Sequence, residues 1–131
     1  MNIAFVHFSD FHINSDSHFL NYKIKATIKA ISTIQNIDEY VIIFSGDLVN
    51  SGNANEYKKA RFLMNKLLYE IKELNGGKFT NLFYVPGNHD LSLPQNARIA
   101  EDIINEYNNK QIDDVLDREI SYLDNFFDFV L

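Results

Sequence analysis

Six residues whose side chains can bind a metal or move a proton occur in three short stretches of this sequence. They are Asp10 and His12, then Asp47, then Asn88, His89 and Asp90. One residue separates Asp10 from His12, so an extended chain points both side chains the same way. A carboxylate beside an imidazole suits zinc, iron or manganese. The pattern therefore predicts a site for a divalent transition metal.

The second and third stretches extend this chemistry to two metal ions. Asp47 follows Gly46, where the backbone can turn tightly, and its two carboxylate oxygens can bridge two ions. Asn88 offers an amide oxygen to the second ion, and His89 follows at once. Two ions ~3.5–4 Å apart can clamp a phosphate and generate a hydroxide for in-line attack.

Each stretch directly follows a short apolar segment. These segments are residues 2–9, 40–45 and 81–85. Their continuous apolar character predicts parallel strands that are buried on both faces. In a parallel sheet the polar stretches meet at one edge, beyond the carboxyl ends of the strands, where ligands bind.

Helical patterns separate the three segments. Apolar residues with helical spacing occur at Leu20, Ile24, Ile28, Ile31 and Ile34, and again at Tyr57, Ala60, Met64, Leu67, Leu68 and Ile71. Asn53 can cap the second helix, which we expect from Ala54 to Leu74, and Gly76 and Gly77 supply a stop. The sequence thus predicts an α/β fold with a parallel βαβαβ arrangement and right-handed crossovers.

The stretches SDFH, GDLVNSG and VPGNHD resemble the first three motifs of the calcineurin-like metallophosphoesterases. The resemblance covers about residues 1–94, which we expect to be the N-terminal half of such a domain. It implies half of a β-sandwich with flanking helices. It also implies a dinuclear centre of Mn, Fe or Zn that hydrolyses phosphate mono- or diesters.

The resemblance also implies a role for each residue. Asp10 and His12 bind the first metal, and Asp47 bridges the two metals. Asn88 binds the second metal and contacts the substrate phosphate. His89 contacts the substrate and stabilises the transition state or protonates the leaving group, with Asp90 orienting it.

The sequence departs from the family pattern in two ways. Asn50 stands where many members have an aspartate. The sequence therefore gives less support for a charged His–Asp pair at His89. The family pattern continues with a further histidine and a Gly-His-x-His motif, whereas no histidine follows Asp90. We interpret His7 as a packed or hydrogen-bonded strand residue and His18 as a solvated loop residue. We therefore expect residues 1–131 to bind at most one metal tightly and to show little turnover alone.

Residues 95–131 differ in character and predict an acidic helical extension of the same domain. Helices are expected over residues 97–107 and 112–131, with Ile112, Leu116, Ile120, Leu123, Phe127 and Val130 on one face. Phe126, Phe127 and Phe129 form an apolar patch near the chain end. This patch predicts contact with the C-terminal half of the protein or self-association. A tail folded onto its own core is the open alternative.

Composition narrows the class of protein. The chain has 131 residues, 46% hydrophobic and 23% charged, and no cysteine, which is typical of one globular domain without disulfides. It begins without a signal-peptide pattern and has no membrane-spanning run, so we expect a cytoplasmic protein.

Charge argues against a nucleic-acid substrate. The whole net charge of −6 falls in residues 95–131, where three basic residues face nine acidic ones. A duplex binder usually carries a basic excess instead. Two alternatives to a small-molecule phosphoesterase stay open: a nuclease of the same family, and a non-catalytic fragment that binds metal or phosphate.

Overall fold

The computed structural model describes residues 1–14, 19–74, 76, 80–92, 105, 117 and 120–131. The elements follow the predicted order of strands and helices. They are β1 (Ile3–Phe8), α1 (Phe19–Ile31), β2 (Glu39–Ser45), α2 (Ala54–Leu74), β3 (Thr80–Val85), a short 3-10 turn (Asn88–Asp90) and α3 (Asp124–Val130).

The three strands form one parallel sheet in the order β1-β2-β3. Phe8 pairs with Phe44, and Phe44 pairs with Tyr84, so the register is continuous across the sheet. The rings of Phe8 and Phe44 stack at 5.0 Å between centroids. The predicted α/β class with parallel βαβαβ connectivity is confirmed, and all three strands end at one edge.

Both crossover helices bury one apolar stripe. In α2 this stripe comprises Tyr57, Ala60, Leu63, Met64, Leu67 and Ile71. The Asn53 side chain caps α2, since its Oδ1 accepts hydrogen bonds from the backbone N–H groups of Asn55 and Glu56. In α1 the predicted stripe holds only as far as Ile31, where the helix ends, and Ile34 is exposed.

The prediction that the strands are buried on both faces is wrong. Tyr40, Ile42 and Phe44 are buried under the helices. On the opposite face Phe5 is 70% exposed and Phe83 is 55% exposed. Right-handed crossovers in the order β1-β2-β3 place α1 and α2 on the same side, which explains the difference. Within the described ranges, the second face is therefore open, as in one half of a sandwich.

The C-terminal residues fold back onto α2. Phe126 and Phe129 are buried, and Phe129 lies 5.5 Å from Tyr57 between ring centroids. These two side chains therefore support the alternative in which the end of the chain packs against the protein's own core. They are not available for self-association, whereas Phe127 is 42% exposed.

The helical face predicted for residues 112–131 is wrong at this end. A turn at Tyr122 and Leu123 precedes α3. After this turn Phe126 and Phe129 face inward instead of Phe127 and Val130, and before it Ile120 is 53% exposed. The helix predicted over residues 97–107 and the part before residue 120 lie outside the described ranges, apart from Asn105 and Asp117. The division at residue 94 stays a prediction.

Candidate metal centre

The polar stretches after β1 and β2 run side by side beyond the end of the sheet. Backbone N–H groups of Asp10, His12 and Ile13 donate to the carbonyls of Gly46, Asp47 and Leu48 over 3.2, 3.0 and 3.0 Å. An isolated parallel bridge then pairs Ile13 with Val49. The parallel pairing thus continues past the strands and fixes Asp10, His12 and Asp47 relative to one another.

The backbone at these residues adopts a conformation that side chains usually avoid. Asp10, His12 and Asp47 have φ values of +56°, +44° and +55°. Asp and His adopt this left-handed region more readily than most residues, but it still costs free energy. Such conformations cluster at functional sites, where surrounding contacts hold them in place. Backbone strain therefore marks three of the predicted metal ligands.

The side chains of His12, Asp47 and His89 form one compact group. Each offers a ligand atom, and these atoms lie within 4.8 Å of one another. The imidazole rings of His12 and His89 meet edge to face, with 4.6 Å between centroids. Two imidazoles and a carboxylate are a donor set that suits zinc, iron or manganese. The group can hold one such ion.

The structure places the other two predicted ligands beside this group. Asp10 is not part of it, but its Oδ1 lies 3.8 Å from Nε2 of His12. Asn88 is exposed at the start of the 3-10 turn, directly before His89. All of the predicted site residues therefore gather at one edge of the sheet, whereas the metal that each would bind stays a prediction.

One oxygen of Asp47 already has a partner within the protein. The backbone N–H of His89 donates to Oδ1 of Asp47 over 3.0 Å. Gly87 makes this approach possible, because a Cβ at residue 87 would come within 2.6 Å of the Asp47 backbone nitrogen. The stretch after β3 can therefore lie directly against the stretch after β2 only with glycine at this position.

The ring of His89 is held by a backbone carbonyl. Its Nδ1 lies 2.8 Å from the carbonyl oxygen of Asn50. A carbonyl can only accept a hydrogen bond, so Nδ1 must carry the proton. In the neutral ring Nε2 then keeps its lone pair, free to bind a metal or to accept a proton. The main chain of Asn50, and not its side chain, thus orients the imidazole. Sequence reasoning had no signal for this contact.

Asp90 is the one charged residue that is fully buried in the described part of the chain. Its Oδ1 accepts a hydrogen bond from the Val49 N–H over 3.0 Å. Its Oδ2 accepts from the N–H groups of Gly87 and Leu48 over 2.8 and 3.3 Å. Backbone amides therefore surround the carboxylate, and the catalytic role predicted for Asp90 stays a prediction.

Tyr57 connects this region to the helices. Its hydroxyl donates to the backbone carbonyl of Asp90 over 2.9 Å. Burial, followed by the negative charge of Asp90, raises the pKa of Tyr57 well above its ordinary value. Burial also raises the pKa of Tyr84 on β3. Both phenols therefore stay neutral, and Tyr57 acts here as a hydrogen-bond donor.

Two further histidines were considered from sequence. His7 lies on the open face of the sheet, and its Nε2 is 2.6 Å from the Ser45 hydroxyl oxygen. The interpretation of His7 as a hydrogen-bonded strand residue is confirmed. His18 lies outside the described residues.

Comparison with known proteins agrees with this geometry. The family model for calcineurin-like phosphoesterases matches residues 3–130.

None of the described helices is long and apolar enough to cross a membrane.

Two similar proteins carry the name "Probable cyclic nucleotide phosphodiesterase". One comes from Vesicomyosocius okutanii subsp. Calyptogena okutanii (strain HA) and is 26% identical over 108 residues. The other comes from Ruthia magnifica subsp. Calyptogena magnifica and is 25% identical over 108 residues. Each alignment covers 82% of this chain and 42% of the relative. The chain thus spans less than half the length of these curated relatives.

Proposed function

This chain belongs to the calcineurin-like phosphoesterase family, and we propose from that premise that it carries the metal-binding edge of a phosphodiesterase. The observation that carries the proposal is the group formed by His12, Asp47 and His89, whose ligand atoms lie within 4.8 Å of one another. Strained backbone at two of these residues supports a functional origin for the group.

In this proposal each residue has a task that its surroundings permit. His12 and Asp47 hold the first ion, and Asp10 completes its ligands from beside His12. When bound, a divalent ion supplies positive charge to the phosphoester and generates a nucleophile from water near neutral pH. Asp47 presents one oxygen to the His89 N–H and keeps the other oxygen for metal. Asn88, exposed at the turn, contacts the phosphate and the second ion.

His89 is proposed to act on the leaving group of the substrate. Its Nδ1 proton is committed to the Asn50 carbonyl, so the neutral ring can only accept at Nε2. To protonate a leaving group, the ring must first become an imidazolium that carries protons on both nitrogens. His89 also offers a ring nitrogen to the group with His12 and Asp47, so it can instead bind metal directly. Metal uptake by a His89 variant separates these two roles.

The substrate class proposed here is a small phosphodiester, with cyclic nucleotides as the first compounds to test. The two relatives named as probable cyclic nucleotide phosphodiesterases support this choice. A nuclease remains the second candidate, since it would use the same chemistry. The balanced charge of residues 1–94 disfavours it, because DNA affinity depends on neutralising phosphates with Lys and Arg.

The experiment measures metal binding and hydrolysis on the same sample. The 131-residue chain is titrated with Mn²⁺, Co²⁺ and Zn²⁺, and then assayed with bis(p-nitrophenyl) phosphate and 3′,5′-cyclic AMP. We expect one tightly bound ion per chain and slow turnover, because the second ion has only two oxygen ligands, from Asp47 and Asn88, and shares Asp47 with the first ion. Brisk hydrolysis with two tight ions would contradict the expected stoichiometry. Failure to take up any of the three metals would contradict the proposed site itself.

The third possibility, a non-catalytic module, is tested by a variant. His89→Gln should lose hydrolysis of the bis-ester and keep its metal if His89 acts on the leaving group. If the chain binds metal but still turns over no diester in a longer protein that also supplies the family's further histidines, the chain is a metal- or phosphate-binding module. DNA affinity that falls steeply with salt would instead favour the nuclease.

A further inference from the structure

The carboxylate of Asp90 joins two parts of the chain that are far apart in sequence. On one side it accepts hydrogen bonds from the N–H groups of Leu48 and Val49, directly after Asp47. On the other side it accepts from the N–H of Gly87, directly before Asn88 and His89. Asp90 is 0% exposed, so these bonds lie away from bulk solvent. The carboxylate thus binds the second and third polar stretches to each other.

We infer that Asp90 is a positioning residue, whose buried carboxylate sets the distance between Asp47 and the imidazole of His89. This inference rests on the proposed function, since it concerns the same metal-binding edge. It assigns Asp90 no contact with metal or substrate. Its effect passes through the backbone of residues 47–50 and 87–90.

The contacts between the two stretches support this role. Among the described residues, two other hydrogen bonds join these stretches near the site: His89 N–H to Asp47 Oδ1, and His89 Nδ1 to the Asn50 carbonyl. Both involve His89, and one uses the ring that must reach the substrate. Three backbone amides on one carboxylate form a charge-assisted cluster, stronger than neutral hydrogen bonds. Asp90 is therefore the main polar link that leaves the functional side chains free.

Asparagine cannot replace Asp90 in this setting. Oδ1 of Asp90 faces one N–H donor and Oδ2 faces two. Either orientation of an amide would place its NH₂ group against at least one of these donors. The variant Asp90→Asn keeps the size of the side chain but must separate the stretches to relieve this contact. It is therefore a specific test of the link.

The first readout is metal affinity. Asp90→Asn should bind Mn²⁺ or Co²⁺ 10–100-fold more weakly than the wild type, the loss typical of removing a residue that orients metal ligands. The control is a substitution at Ile71, which is buried in α2 away from the site. Ile71→Val or Ile71→Ala is chosen to match the fall in Tm of Asp90→Asn. Equal metal affinities in Asp90→Asn and the matched control would overturn the inference.

The second readout needs neither metal nor activity. The ¹⁵N shifts of the His89 ring in metal-free protein report which nitrogen carries the proton. The wild type should show the Nδ1–H tautomer, as the Asn50 carbonyl requires. Asp90→Asn should show a mixture of tautomers, and the Ile71 control should not. If the wild type binds no metal, the proposed function fails, whereas the tautomers still decide the role of Asp90.

A measurement on the wild type covers the case in which Asp90→Asn does not fold. The amides of Val49 and Gly87 should exchange with solvent as slowly as amides within the sheet, because a buried carboxylate accepts their hydrogen bonds. Exchange at the rate of open loop amides would show that the link does not hold in solution.

Discussion

The backbone N–H of His89 donates a hydrogen bond to Oδ1 of Asp47 over 3.0 Å, across 42 residues of sequence. One proposed ligand is thus aligned by the main chain of a residue that we propose has its own chemical role. The remaining oxygen of Asp47 is left for metal, and the His89 ring stays free to bond with Asn50. Changes at either residue will therefore affect the other.

Asp47→Asn should cost more metal affinity than any other single substitution in the chain. It removes the negative charge at the centre of the group and leaves an amide that binds transition metals weakly. Metal content after gel filtration, measured by elemental analysis, checks this. Glu73→Gln, an exposed charge change at the end of α2, is the matched control and should keep wild-type metal. If Asp47→Asn keeps its metal while Asn88→Ala loses it, the two assignments must be exchanged.

Gly87→Ala should displace Asp47 and weaken metal binding. The added Cβ would collide with Oδ1 of Asp47 and lie 2.6 Å from its backbone nitrogen. Gly76→Ala is the matched control, because Gly76 has φ +61° and no atom of the described residues lies within 4 Å of the added atom. The control should cost about 1 kcal/mol of stability from backbone strain alone and should leave metal affinity unchanged. Thermal unfolding and Co²⁺ titration of the two variants distinguish the effect of the collision with Asp47 from the effect of backbone strain.

Phe129→Ala should destabilise the fold far more than Phe127→Ala. Phe129 is buried between Tyr57 and Tyr84, with ring centroids at 5.5 and 5.1 Å. Removing such a ring typically costs about 3–5 kcal/mol. Phe127 is 42% exposed, so its loss should cost less than about 1 kcal/mol. Urea unfolding measures both, and equal effects would mean that α3 does not dock as described.

Alkaline pH should unfold the protein through two tyrosines, the buried Tyr57 and the partly buried Tyr84. Folding raises the pKa of Tyr57 and of Tyr84, so each phenol holds its proton more tightly in the folded chain than in the unfolded chain. In the unfolded chain tyrosine has a pKa of about 10. The contribution of the two phenols to the free energy of unfolding is complete below that pH and is lost as pH rises above it. Each tyrosine then lowers the unfolding free energy by up to about 1.4 kcal/mol per pH unit.

Ultraviolet absorbance tests this prediction directly. The chain has seven tyrosines, and the absorbance of tyrosinate follows their ionisation as pH rises. Tyr57 and Tyr84 should ionise only when the protein unfolds. The double variant Tyr57→Phe/Tyr84→Phe should show a shallower fall of stability with pH. Ionisation of Tyr57 and Tyr84 before unfolding would contradict their raised pKa values.

The sequence was sufficient to predict the edge of the sheet at which the site forms. Apolar runs of strand length alternated with helical patterns, and parallel connectivity then placed Asp10, Asp47 and Asn88 at one edge. The bounds of α2 followed from Asn53, which caps the helix, and from the apolar stripe. These features are local in the chain, which is why they can be predicted from it.

Other features depend on contacts that leave no pattern in the sequence. The partners of Asp90 and of the His89 ring are main-chain groups, and every residue type supplies those. The open face of the sheet could not be predicted either, because an apolar strand looks the same with one face covered or two. In α3 the buried residues, Phe126 and Phe129, lie one position before the predicted Phe127 and Val130. Apolar spacing does not detect a shift of one residue in a segment this rich in phenylalanine.

The left-handed backbone at Asp10, His12 and Asp47 has a consequence for how this chain can change over generations. Side chains that tolerate such a backbone are few, with glycine, asparagine, aspartate and histidine foremost. A single nucleotide converts an aspartate codon to asparagine, glycine or histidine. Substitution by valine or isoleucine would disturb both the ligands and the backbone. A lineage that gave up the proposed metal site would therefore have an easy route that keeps the fold, and asparagine or glycine at these three positions would be its mark.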